Sequence, residues 1–141
     1  MLHLIDKYRA YLAGVILLLY SAIIVFLSIL PDEWLGKLTH IDKLFHFAAY
    51  GLLSFILFFV LYFQSRIRLF KKYSAIFTLV FTTLFGILNE VFQIFVPSRS
   101  ANLLDVTANI LGSILMVLIL KYNLNNLKRL RDNYLRSRPI H

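Results

Sequence analysis

The 141-residue sequence contains no cysteine. Disulfide frameworks, thiolate metal sites and thiol nucleophiles are therefore excluded, whichever compartment the loops face. Glycine and proline are scarce, at five and three copies, and seven acidic residues stand against fifteen lysines and arginines. Hydrocarbon fills the rest. With 60% of its residues hydrophobic and 16% aromatic, the chain is too apolar for a soluble domain of this length.

The apolar residues fall into four runs. Residues 10–30 carry no charge, and residues 44–63 are interrupted only by His46 and a few small polar groups. Residues 73–96 and 103–120 make two more, each with its polar side chains crowded at one end. Each run is long enough to cross about 30 Å of hydrocarbon as a helix. The first is too long for the apolar region of a signal peptide and lacks a small-residue cleavage site, so it reads as a helix. The expected fold is all-α: one polytopic membrane domain over residues 1–141, a four-transmembrane-helix bundle whose short connections make its helices antiparallel neighbours. Pro31 is expected to end the first helix, with Trp34 and residues 32–39 along the adjacent interface.

Charge orients the bundle. Lys7 and Arg9 precede the first run, Arg66, Arg68, Lys71 and Lys72 follow the second, and six lysines or arginines follow the fourth. This side takes twelve of the fifteen basic residues and reads as cytoplasmic, with both termini inside. Localisation in the cytoplasmic membrane as a multi-pass protein follows. In residues 121–141, Leu124, Leu127, Leu130 and Tyr134 recur at helical spacing among basic residues, the pattern of an amphipathic tail on an anionic leaflet. The +8 net charge is thus a topology and lipid-headgroup signal. No folded nucleic-acid module is visible, so membrane lipids rather than nucleic acid are the expected partners.

Against this background, residues 86–112 stand out for Asn89, Glu90, Gln93, Arg99, Asn102, Asp105 and Asn109. An ionisable group beside hydrocarbon costs roughly 2.5 to 3.5 kcal/mol on insertion scales, so each needs a partner or a task. Asp42, His46 and Tyr50 follow one helical face from the outer end of the second run, so three helix ends and a loop meet at the outer leaflet. Glu90 and His46 are candidate acid and base groups, with Asp42 one turn from His46 to orient its ring and Asp105 as a further carboxylate. Arg99 offers a bidentate clamp for phosphate or carboxylate, and Lys43 a point charge; Tyr50, Gln93 and Asn109 complete the candidate ligand-binding set.

Each residue also has a purely structural reading. Thr39-x-x-Asp42 and Asn102-x-x-Asp105 have the form of capping boxes, Glu90 would bond Gln93 and Asn109 across helices, Arg99 would pair with Asp105 or Glu90, and His46 would be an interfacial hydrogen-bonding group. Asp42, His46, Glu90 and Asp105 are donors better suited to Mg, Mn or Ca than to structural zinc, but no metal-binding motif spacing is present, and no metal or other cofactor is assigned. No Ser or Cys nucleophile stands beside His46, which leaves an acyl-enzyme unsupported. The inner halves of the runs are apolar, which argues against transport. Oligomeric state is not legible.

Three motifs, in order and spacing, resemble the VanZ-like family of small membrane proteins. They are Asp42-Lys43-x-x-His46-Phe47-x-x-Tyr50, Glu90-x-x-Gln93-x-x-x-Pro97-x-Arg99, and Asp105-x-x-x-Asn109-x-x-Gly112. Together they span residues 42–112, about half of the chain. Asn102 stands where the family pattern has Ser, and Met116 where a second Gly often follows Gly112, a change that argues against close backbone packing at that turn. The family's name comes from a protein associated with resistance to the glycopeptide teicoplanin. The resemblance therefore implies a cell-envelope role without defining a reaction, and the Arg99 clamp points to an anionic lipid headgroup, a lipid-linked wall precursor or a peptide carboxylate, bound or modified. A non-catalytic protein, whose polar cluster locks the bundle or which works through partner proteins, is the alternative.

Overall fold

The structure, a computed structural model, describes residues 2–30, 41–96 and 101–136. Pro31, Trp34, Thr39, residues 32–39 as an interfacial stretch, Pro97, Arg99 and Arg138 lie outside the described residues. Five helices follow in order: α1 (Leu2–Ser28), α2 (Ile41–Phe63), α3 (Arg68–Lys72), α4 (Ser74–Gln93) and α5 (Leu103–Arg136). All but the five-residue α3 are long and apolar enough to cross a membrane.

Burial is inverted relative to a water-soluble protein. Among the described residues, most of the buried side chains are polar, including Ser54, Thr78, Thr82, Asn89, Glu90, Gln93, Asp105, Asn109 and Ser113. Large apolar side chains such as Leu12, Leu18, Phe45, Leu84 and Leu118 face outwards. Such a surface suits hydrocarbon. With lipid as apolar as leucine, association of the helices must rest on close packing and interhelical hydrogen bonds.

Small and polar residues accordingly mark the packed faces. Helix α4 buries Ser74, Thr78, Thr82, Gly86 and Glu90, one every four residues, which is a single stripe down the helix. Helix α2 is the centre of the assembly and touches every other helix, most extensively α5. Lys43 meets Asp105, His46 meets Asn109 and Phe47 meets Gly112, so α2 and α5 run parallel, although neighbours in sequence run antiparallel. The closest approach is at Gly112, where an added methyl group would collide with the Phe47 carbonyl oxygen; Gly51 opposes Gly112 from α2. Close backbone packing thus occurs at Gly112 despite Met116.

Helix α1 is peripheral. Ile24 joins Tyr50 and Leu53 in a small apolar core, and the Tyr20 hydroxyl donates to the Ala49 carbonyl at 3.1 Å. Two boundaries differ from expectation. Helix α4 stops at Gln93 and residues 94–96 form a turn, so Glu90 lies in the last helical turn rather than deeper. Helix α5 continues without a break from its apolar stretch into the basic tail as far as Arg136, because nothing in residues 118–125 interrupts helical hydrogen bonding.

Candidate functional site

The polar ends of α2, α4 and α5 meet at one end of the bundle. Asn102 opens α5: its side-chain oxygen accepts from the Leu104 N–H at 3.0 Å, satisfying one of the free donors of the first turn. In a capping box the residue at Asp105 would reach back to the Asn102 N–H. Here the Glu90 Oε2 of α4 takes that N–H at 3.0 Å. The box is completed from another helix, and the Asp105 carboxylate is left to face Lys43 of α2, whose Nζ lies 3.4 Å from Oδ1. Asp105 is nearly buried, with 8% of its side chain exposed, whereas Asp42 at 44% is open to the surroundings.

His46 sits between these groups. Its Nδ1 lies 3.2 Å from Oδ1 of the buried Asn109, a hydrogen bond in the tautomer that carries the ring proton on Nδ1. That contact fixes the ring and leaves Nε2 to take or release a proton. Nε2 is 3.8 Å from Asp42 Oδ1, one helical turn back. We expect ¹⁵N spectra of the labelled protein in lipid nanodiscs to show the proton of neutral His46 on Nδ1, and Asn109→Leu to abolish that fixed tautomer. A mixture of tautomers in the wild-type protein would contradict the arrangement.

Among the described residues, two buried polar atoms in this region make no hydrogen bond or ion pair: Glu90 Oε1 and the amide nitrogen of Asn109. Glu90 lies within electrostatic reach of His46, Asp105 and Asp42, while Tyr50 and Asn109 flank Gly86 on α4. Unpaired buried polar atoms are rare in folded proteins.

Asp42, His46 and Asp105 each present one donor atom, all within 4.8 Å of one another. One nitrogen and two carboxylate oxygens form a donor set for a divalent cation. Lys43 already neutralises Asp105 and would have to swing away. Glu90 is not part of that group.

The expected residues do not all converge. Gln93 points to α1, donating from Nε2 to the Ser28 carbonyl at 3.2 Å, and Ser28 Oγ lies 2.8 Å from Asn89 Oδ1. Glu90 bonds neither Gln93 nor Asn109; its partner is the Asn102 N–H. The structural reading of the Asn102-x-x-Asp105 box is corrected in the same way, since Asp105 does not supply the reciprocal bond. Ser28 was not singled out by sequence reasoning, nor were Ser54, Thr78, Thr82 and Ser113. The four-residue spacing of small polar residues in 74–90 would have revealed the α4 stripe, but a lone serine ending an apolar run gives no such signal.

Among known proteins, the VanZ/LLP1 family matches residues 13–126 of the chain. No curated protein and no solved structure matches it.

Proposed function

The chain belongs to the VanZ/LLP1 family, and from that premise we propose that its polar cluster is a site at the outer face of the cytoplasmic membrane for an anionic, lipid-anchored envelope component. The positive-inside rule supports this orientation, N-in and C-in, because the cluster lies at the end of the bundle away from the basic loop and tail. The observation that carries the reading is that His46, held by Asn109, lies within electrostatic reach of the buried Glu90, whose Oε1 has no hydrogen-bond partner among the described residues.

In this reading His46 Nε2 and Glu90 Oε1 exchange protons with the bound component, and Asp42, 3.8 Å from Nε2, helps to orient the ring. Asp105 holds Lys43 near the mouth, and Lys43 with Arg99 supplies the positive charge that an anionic headgroup needs. Tyr50 and Asn109 offer a hydroxyl and an amide to a ligand reaching inwards. A lipid-linked wall precursor matches this chemistry and the family's association with teicoplanin resistance. A second reading has its own support: the bonds joining Ser28 to Asn89 and Gln93, and Glu90 to Asn102, tie three helices together and suit a locking role.

Binding of undecaprenyl phosphate to the protein in phosphatidylcholine nanodiscs tests the proposal. Arg99→Ala is expected to weaken binding on the order of tenfold, the value of a lost charge-assisted contact. Lys43→Gln should weaken it similarly with helix content retained. Unchanged affinity in both variants would leave the locking role as the better account.

A further inference from the structure

At the opposite end of the bundle a cleft of about 190 Å³ opens between α2, α3, α4 and α5. Its rim carries four lysines: Lys71 and Lys72 of α3, and Lys121 and Lys128 of α5. Among the described residues no carboxylate lines it. Among the described residues none of the four is in an ion pair; Lys72 Nζ instead lies over the Tyr73 ring, 5.0 Å from its centre.

Four like charges around one concavity repel one another, an arrangement that an anion relieves. The cleft adds a second attraction. Helix α4 begins in it at the buried Ser74, and Tyr73 before it provides no side-chain cap, so the free N–H groups of the first turn are directed towards this end. Aromatic and apolar side chains, among them Tyr62, Ile76 and Leu124, share the remaining wall with Asn125. Basic side chains mixed with aromatic and apolar ones are the profile of a membrane–water boundary, and Lys121 follows directly on the apolar stretch of α5.

We propose that this cleft is a binding site for the phosphate-bearing headgroup of an anionic phospholipid. The lysines and the start of α4 hold the phosphate, and the glycerol and upper acyl carbons lie against Tyr62 and Ile76. The site is independent of the His46 cluster: Tyr62 is 16 residues beyond His46 on α2, about 24 Å along the helix. Under the positive-inside rule it faces the cytoplasmic leaflet, whose anionic lipids attract each nearby lysine or arginine.

The experiment is native mass spectrometry of the full chain released from detergent, with phosphatidylglycerol or phosphatidylcholine added. The double variant Lys71→Gln/Lys121→Gln removes two cleft charges, and Arg66→Gln/Arg129→Gln removes two from outside it. All four side chains are exposed, so folding should persist, and melting curves check this. Expected is a retained phosphatidylglycerol molecule on the wild type and on the outside double, with affinity falling tenfold or more in the cleft double. Equal loss in both doubles would mean diffuse attraction and overturn the site, as would no loss in the cleft double or equal retention of phosphatidylcholine. Inorganic phosphate, added alone at the same concentrations, is expected not to displace the lipid; displacement would overturn the assignment to a lipid headgroup.

Discussion

Replacing Gly112 by alanine is expected to destabilise the bundle more than adding a methyl group at any other described glycine. The new carbon would run into the carbonyl oxygen of Phe47, and its other near neighbours are Phe47 backbone atoms too. No side chain can rotate away, so α2 and α5 must separate along their largest interface. Overpacking costs about 1 to 3 kcal/mol where side chains can yield, and a backbone collision belongs at the upper end or beyond. The other glycines form a graded control. At Gly86 a methyl would lie 3.1 Å from a Tyr50 ring carbon and 3.2 Å from Asn109 Nδ2, which would disturb the site more than the fold. At Gly51 it would lie 3.4 Å from the Gly112 carbonyl oxygen, an ordinary contact. Gly14 has nothing within 4 Å, and alanine there should be neutral or slightly stabilising. Unfolding by sodium dodecyl sulfate titration from mixed micelles would rank the four variants. A Gly112→Ala protein as stable as Gly14→Ala would contradict the close crossing.

Glu90→Gln is expected to separate fold from chemistry. A glutamine amide oxygen can replace Oε2 as acceptor of the Asn102 N–H, so the start of α5 keeps its cap and stability should change by less than about 1 kcal/mol. What glutamine lacks is an exchangeable carboxyl proton. If Glu90 acts as acid or base on an envelope lipid, conversion of that lipid should fall by roughly 10² to 10⁴. Mass spectrometry of lipids extracted from cells expressing each variant measures it. His46→Asn is expected to cause a comparable loss. Full conversion by a stable Glu90→Gln protein would remove proton transfer from the account and favour the locking role. Glu90→Ala, which loses the cap acceptor as well, should be both less stable and inactive.

The four spanning helices were legible because each is a long apolar run, and composition alone gives that. The gathering of Asp42, His46, Asp105 and Asn109 was legible too, since helical spacing puts each pair on one face and the connections bring the faces to the same end. Partner choice was not. Asn102 and Asp105 have the spacing of a self-contained cap, and only the approach of α4 substitutes Glu90 for Asp105. Gln93 looked like part of the cluster because it is one turn from Glu90, yet the turn's direction carries it to Ser28. Such choices depend on how helices are rotated against one another, and a sequence records rotation only through small or polar stripes such as that on α4.

The thin attachment of α1 bears on the order in which the chain is made. Among the described residues its polar contacts with other helices are with Ala49, Asn89 and Gln93, the last two through Ser28, across separations of 29, 61 and 65 residues. A ribosome delivers α1 to the bilayer long before it delivers those partners. The outward-facing Leu12, Leu18, Leu19 and Phe26 allow this helix to reside alone in lipid, with a single serine near its end waiting for α4. The most apolar span is therefore also the one best able to tolerate the longest delay before assembly.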